Sequence, residues 1–126
     1  MESEIKDSVD LFTFCNGVPK TELHAHLNGS IRRSTLFELS SEQDRQTLEV
    51  LYKNHMDFTN AMNFFKISSK ILTSLDIVKR ITREMIEDWN NQNCMYLEIR
   101  STVRAMAGGS KEDYLRAVLN EIKEGN

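Results

Sequence analysis

The sequence is bounded first by what it does not contain. Its 126 residues include only two cysteines, Cys15 and Cys94, far apart and outside any CxxC pattern. That spacing excludes a dense disulfide framework and reads as two buried thiols rather than a bonded pair. There is no block of lysine and arginine; 16 basic residues against 19 acidic ones leave a net charge of -3 and a pI near 5.6. A general nucleic-acid surface needs a basic patch, so a polymer partner is excluded while nucleotides stay open as small ligands. No apolar run approaches the roughly 20 residues that span a bilayer. The opening Met1-Glu2-Ser3-Glu4-Ile5-Lys6-Asp7 is acidic and lacks the apolar centre of a secretory leader. No membrane partner is expected, and the expected compartment is the cytoplasm. Internal repeats and low-complexity segments are absent as well. At 40% hydrophobic and 28% charged, the chain has the balance of one globular domain, with residues 1–8 expected to be disordered.

What is present is organised around Pro19-Lys20-Thr21-Glu22-Leu23-His24-Ala25-His26-Leu27-Asn28-Gly29-Ser30. Gly17 permits positive φ and Pro19 biases its predecessor toward extended backbone, so a strand is expected to start near Lys20. Side chains alternate along a strand. Glu22, His24 and His26 therefore share one face, and Leu23, Ala25 and Leu27 the other. Two imidazoles at alternate positions can both reach one zinc ion at about 2.0–2.1 Å. Taken alone, HxH is equally compatible with a half-buried strand carrying two polar residues by chance.

A second strand is expected at Tyr96-Leu97-Glu98-Ile99-Arg100, where Tyr96, Glu98 and Arg100 share a face opposed by Leu97 and Ile99. If the two strands are parallel neighbours with helices on their apolar side, both polar faces line a barrel or cleft. Burying polar groups there is costly, and function is a common reason to tolerate it. The alternative is an antiparallel pair with a solvated outer face. Against it weighs the connection of roughly 65 residues, far beyond the dozen or so of a simple parallel crossover.

That connection reads as helices. Thr35-x-x-Glu38 and Ser40-x-x-Gln43 fit the capping box, opening a short helix and then one reaching about Lys53. Phe58, Ala61, Met62 and Phe65 recur at the spacing of a buried helical stripe, for a third helix to about Leu72. Thr73-Ser74 caps a fourth, with Val78, Ile81, Met85 and Trp89 on one side and Lys79, Arg80, Arg83 and Glu87 among its polar residues. Asn90-Asn91-Gln92-Asn93 ends it by side-chain competition for the backbone. Upstream, Val9, Leu11, Phe12 and Phe14 mark a short helix or turn across one end of the domain. Downstream, residues 105–109 read as a loop, and Ser110-x-x-Asp113 opens a helix bearing Tyr114, Leu115, Val118, Leu119 and Ile122.

The stretch from Pro19 to Gly29 resembles the first-strand motif of the adenosine deaminase branch of the amidohydrolases, Pro-Lys-x-Glu-Leu-His-x-His-Leu-(Asp or Asn)-Gly. Tyr96-Leu97-Glu98-Ile99-Arg100-Ser101-Thr102-Val103-Arg104 resembles the second strand of the same family, in particular of the adenosine deaminase-like, N6-methyl-AMP deaminase group. The resemblance runs from Pro19 onward, with the helical part matching in pattern only. It implies an α/β fold: the amino-terminal part of a TIM (β/α)8 barrel of the metal-dependent hydrolase type, two parallel strands with several helices inserted between them. Those helices are expected to wall the substrate pocket. A complete barrel typically needs about 250 residues, so residues 1–126 are expected to form a single partial domain, inactive by itself and monomeric when complete.

The resemblance further implies one zinc ion per complete active site, with His24 and His26 as two of its ligands. The other ligands, the acid and the base are expected from later strands. Substrate-binding residues by the same carry-over are His26, Asn28, Arg100, Ser101, Thr102 and Val103. The implied reaction is hydrolytic deamination of a purine nucleotide or nucleoside, removing the 6-amino or 6-methylamino group of AMP or N6-methyl-AMP to give IMP, or of adenosine to give inosine. Asn28 stands where adenosine deaminases proper usually carry aspartate; a neutral amide beside a 5′-phosphate avoids the repulsion a carboxylate meets. Val103 replaces the proline usual after Arg-Ser-Thr. Glu22 lies too deep in the strand to be the catalytic acid and His55 reads as a surface residue; Lys70, roughly where the family has a substrate-contacting histidine, reads as a residue of a solvated helix face, with phosphate binding as its alternative. An interior ion pair of Arg100 with Glu22 or Glu98 is the competing role for that arginine. The cytidine-deaminase type of zinc site is excluded, since H-x-E and P-C-x-x-C are both missing. Two other readings stay open: a non-catalytic helical interaction module, favoured by the length, and another amidohydrolase, opposed by Asn28 and the Arg-Ser-Thr segment.

Overall fold

The computed structural model describes residues 10–125; the expected disorder of residues 1–8 lies outside them. Along the chain run helix α1 (Leu11–Gly17), strand β1 (Lys20–His26), a 3-10 turn (Leu27–Gly29), helices α2 (Arg33–Leu39), α3 (Glu42–Lys53), α4 (Phe58–Lys70) and α5 (Leu75–Asn91), strand β2 (Cys94–Arg100) and helix α6 (Lys111–Glu124). The two strands are parallel, with Lys20 opposite Cys94, Glu22 opposite Leu97, Ala25 opposite Ile99 and His26 opposite Arg100. An antiparallel ribbon is thereby excluded. The alternation holds: Ala25 and Leu27 are buried and Leu97 and Ile99 half-buried, while His24, His26, Glu98 and Arg100 are exposed. Leu23 shares the apolar parity yet is 57% exposed, so the covering helices reach only the carboxyl half of β1.

Helix α5 forms the spine of the core. The Ser74 hydroxyl accepts from the Ile77 amide at its start, and Val78, Ile81, Thr82 and Met85 make its buried face at helical spacing. Helix α6 packs beside it, opened by a capping box in which Ser110 and Asp113 satisfy each other's backbone amides. Its buried residues are Tyr114, Ala117, Val118 and Glu121; Leu115 and Leu119, expected in the apolar set, are exposed. Arg83 on α5 grips the Glu121 carboxylate through two bonds of 3.0 Å, which is how that carboxylate is accommodated.

The start of the helical insertion differs from the expected capping. Thr35 lies inside α2, where its hydroxyl donates to Glu84 Oε2 at 2.7 Å instead of capping a helix. The N-cap position falls to Arg32, whose guanidinium reaches across to Asp88 and Glu87 on α5, each at 2.8 Å. Ser40 closes α2 by donating to the Leu36 carbonyl, and Ser41, one residue later than expected, caps α3 through the Asp44 amide. Helix α4 ends at Lys70, and its Phe58, Ala61, Met62, Phe65 stripe is not the buried face. Phe58 is 82% exposed, while Ile67 and Ser68 are buried and Phe64 packs on the core. The helix is rolled so that Phe65 looks toward the end of β1. Helix α1 has no buried residue, with Phe12 at 76% exposure, so its aromatic side is not packed across an end of the domain as expected.

The amino ends of the two strands are stitched together by polar groups. The Lys20 ammonium donates to the carbonyls of Gln92 at 2.7 Å and Val18 at 2.9 Å, and the Asn93 side-chain amide donates to the Gly17 carbonyl at 2.7 Å. Asn93 sits at φ 58°, a left-handed conformation that asparagine tolerates better than most residues. No helix among the described residues is long and apolar enough to cross a membrane.

Candidate active site

His24 and His26 leave β1 on the same side, and their Nε2 atoms lie 3.1 Å apart with ring centroids separated by 5.0 Å. That distance suits a hydrogen bond between neutral tautomers, or two lone pairs directed at one cation. For metal–nitrogen bonds of about 2.05 Å, a 3.1 Å separation corresponds to an angle of about 98° at the metal, between the octahedral and tetrahedral values. The imidazole pair thus fits two adjacent positions of a metal site. It does not complete one, because no group of three or more histidine, cysteine, aspartate or glutamate side chains among the described residues could hold a metal ion. Glu22 is not a third ligand: its carboxylate folds back to accept from the His24 backbone amide at 2.8 Å.

Beside this pair, β2 delivers Arg100 in register with His26. Arg100 makes no ion pair among the described residues, so its alternative role as the partner of Glu22 or Glu98 is not seen. Glu98 is engaged instead by the Tyr96 hydroxyl at 3.1 Å, an interaction that raises the tyrosine pKa by placing its proton against a carboxylate. Thr102 is exposed. Ser101 shares a 2.6 Å hydrogen bond with the Tyr114 hydroxyl on α6, and Val103 packs half-buried against the core. Arg100, Ser101 and Thr102 are thus all exposed, with Ser101 tied to α6 through Tyr114, while Val103 anchors the segment on the core.

On the β1 side, the Asn28 side-chain amide donates to the Ser69 hydroxyl at 3.1 Å. Phe65 stands edge-on to His26 with ring centroids 6.2 Å apart and lies close over Gly29. Arg104 reaches the carboxyl end of α4, its Nη2 donating to the carbonyls of Ser69 at 2.8 Å and Leu72 at 2.9 Å. Phe65, Ser69 and Arg104 were not identified from the sequence as neighbours of the site. Phe65 carries a helical-stripe signal that assigns it to the core, Arg104 closes the second-strand segment without a role of its own, and Ser69 carries no signal. Lys70 turns away to bond Asp44 on α3 at 2.9 Å, and this ammonium holds the Asp44 carboxyl below the usual aspartate range. His55 is exposed between α3 and α4.

The family model for adenosine deaminase matches residues 19–126. An N6-mAMP deaminase from Arabidopsis thaliana is 38% identical over 115 residues, covering 84% of this chain and 32% of that protein. An adenosine deaminase-like protein from Drosophila pseudoobscura pseudoobscura is 35% identical over 122 residues, covering 90% and 36%. Among solved structures, Arabidopsis ADAL complexed with GMP matches with a TM-score of 0.74 at 37% identity, over 90% of this chain and 36% of that one. The same protein complexed with IMP matches with a TM-score of 0.74 at 36% identity, again over 90% and 36%. The chain spans about a third of the length of the curated relatives it matches. Its α/β fold is the amino-terminal part of a TIM (β/α)8 barrel of the metal-dependent hydrolase type, with two parallel strands and several helices inserted between them. By the match over residues 19–126 and by its barrel-opening strand pair, the chain belongs to the adenosine deaminase family.

Proposed function

We propose that residues 1–126 form a single partial domain supplying the first two strands of a zinc-dependent purine nucleotide deaminase. Its reaction hydrolyses the 6-amino or 6-methylamino group of AMP or N6-methyl-AMP to give IMP, with adenosine to inosine as the nucleoside counterpart. The observation that carries this reading is the convergence of the His24 and His26 Nε2 atoms, 3.1 Å apart at the carboxyl end of β1. Barrel active sites gather at that end of the strands. The relatives' names and the nucleotide complexes of Arabidopsis ADAL support the substrate class.

His24 and His26 would hold the metal, which when bound supplies Lewis-acid activation of a water molecule. The net reaction adds the oxygen of water to C6 of the purine and expels ammonia or methylamine. Within this chain, Arg100 offers a fixed positive charge and Thr102 a hydroxyl to the nucleotide from the end of β2. Asn28 sets the preference at the 5′ end, being a neutral hydrogen-bonding group where a carboxylate would repel a phosphate. Ser101, through Tyr114, fixes the loop from which Arg100 and Thr102 project.

The test is turnover and metal content of the full-length enzyme carrying this segment, with AMP, N6-methyl-AMP and adenosine as substrates. His24→Ala is expected to lower both bound zinc and turnover by about 100-fold or more. Asn28→Asp is expected to shift the monophosphate-to-nucleoside preference about tenfold or more toward the nucleoside. Intact zinc content and turnover in His24→Ala would overturn the metal assignment. An unchanged preference in Asn28→Asp would overturn the substrate account.

A further inference from the structure

Ser69, in the last turn of α4, meets both loops that leave the carboxyl ends of the strands. Its hydroxyl accepts from the side-chain amide of Asn28, in the turn directly after β1. Its carbonyl accepts from Arg104, in the loop after β2, and the same guanidinium nitrogen donates to the Leu72 carbonyl just beyond the helix. The final carbonyls of a helix lack intrahelical donors and carry the negative end of its dipole. A guanidinium is well matched to that position, and here it fixes the end of α4 against β2 with charge-assisted bonds. The helix end so held presents one hydroxyl to Asn28.

An asparagine amide offers two N–H donors and one carbonyl oxygen on a terminal torsion that is otherwise broad and nearly two-fold. Unrestrained, it presents donor and acceptor to a ligand almost interchangeably, and an acceptor aimed at an anion is repelled. The bond to Ser69 uses one N–H and fixes the plane in which the rest of the amide is displayed. We infer that Ser69 is a positioning residue for the 5′ end of the substrate: it holds the Asn28 amide in one orientation toward the nucleotide's phosphate, and Arg104 holds Ser69 in register with β2. The inference rests on the proposed reading of the chain as part of a nucleotide deaminase.

In the full-length enzyme, kcat and KM are measured with AMP and adenosine for wild type, Ser69→Ala, Ser69→Thr, Asn28→Ala and the Ser69→Ala, Asn28→Ala double variant. Loss of one orienting hydrogen bond is expected to lower the monophosphate-to-nucleoside ratio of kcat/KM about five- to tenfold, chiefly through the KM for AMP. Ser69→Thr, which keeps the hydroxyl, is expected to restore the ratio. Once Asn28 is alanine, Ser69→Ala is expected to change the ratio no further. A general structural role for Ser69 predicts the opposite, an equal additional loss in both backgrounds, and that result overturns the inference. So does a wild-type ratio in Ser69→Ala. Wild-type enzyme that deaminates neither substrate overturns the proposed function and this inference together, whereas a phosphate preference untouched by Ser69→Ala overturns this inference alone. If Ser69→Ala does not fold, the side-chain amide resonances of Asn28 in the wild-type enzyme decide. Slow exchange with solvent and a shift on adding AMP are expected, and exchange as fast as that of a free asparagine overturns the assignment.

Discussion

Replacing Gly29 by alanine probes the packing around His26 through a single carbon atom. A Cβ at this position falls 2.9 Å from Phe65 Cε1, 3.2 Å from Phe65 Cζ and 3.7 Å from His26 Cβ. Among the described residues the only positive-φ glycine is Gly108, so alanine at 29 meets no backbone strain and the cost is steric. Two opposing contributions set the net effect. Alanine restricts the unfolded chain and stabilises by about 0.4–1 kcal/mol where its conformation is allowed. Overpacking by one methyl costs about 1–3 kcal/mol when neighbours cannot yield. The Phe65 ring can give, since its far edge is what is struck, but it is flanked by His26 at 6.2 Å and Phe64 at 6.0 Å. A net loss of about 1 kcal/mol is expected, read as a lower urea midpoint at unchanged slope in the protein. The decisive comparison is in a Phe65→Leu background, where the obstruction shrinks and the entropic gain survives. There Gly29→Ala is expected to be neutral or stabilising. Stabilisation by Gly29→Ala with Phe65 intact would refute the placement of that ring over the 3-10 turn.

Met85, fully buried on α5, is expected to cost about 2–5 kcal/mol on change to alanine, measured by urea denaturation of the same protein. A loss below about 1 kcal/mol would mean that this face of α5 is not core. Lys70→Met removes the bond that holds the Asp44 carboxyl below its ordinary range, leaving Ser41 as its remaining partner. A carboxyl depressed in the folded state stabilises above its unfolded value, about 3.9, and that stabilisation is lost as pH falls through the folded value. The variant should therefore be less stable at pH 7 and lose less on acidification below about pH 4. Carbon-detected titration of Asp44 checks this, and an unmoved midpoint contradicts it.

The parts of the structure legible in the sequence are those fixed by local chemistry. The alternation of His24, Ala25 and His26 follows from the two-residue period of a strand, and the Ser110–Asp113 capping box is satisfied within one turn. The buried face of α5 follows from a strong 3.6-residue period. Where tertiary contacts compete with local preference, the sequence misleads. Thr35 has the residue type of a cap, but Glu84 lies opposite it and accepts its hydroxyl's hydrogen bond. The aromatic stripe of α4 has the right spacing for a core, yet the roll of that helix is decided by Ile67, Ser68 and Phe64 packing elsewhere. At the site, His24, His26 and the parity of Arg100 could be read directly. Ser69, and the contact Arg104 makes with it, could not, because these bonds join residues 41 and 35 positions apart with no periodicity to mark them.

The parallel pairing of β1 with β2 across four intervening helices imposes a schedule on biosynthesis. At the translation rate of about 5–20 residues per second, β1 emerges about 4–14 seconds before the strand it pairs with. Helices α2 to α5 close over local contacts and can form while β2 is still being made. During that interval, an edge bearing Leu23 and both histidines is open to any other extended chain, including a second nascent copy on the same message. The ammonium of Lys20 on the Gln92 carbonyl and the amide of Asn93 on the Gly17 carbonyl can form only when the last turn of α5 arrives. They thus act as the fastener that holds this one edge closed and helps set the strand register at the moment of pairing.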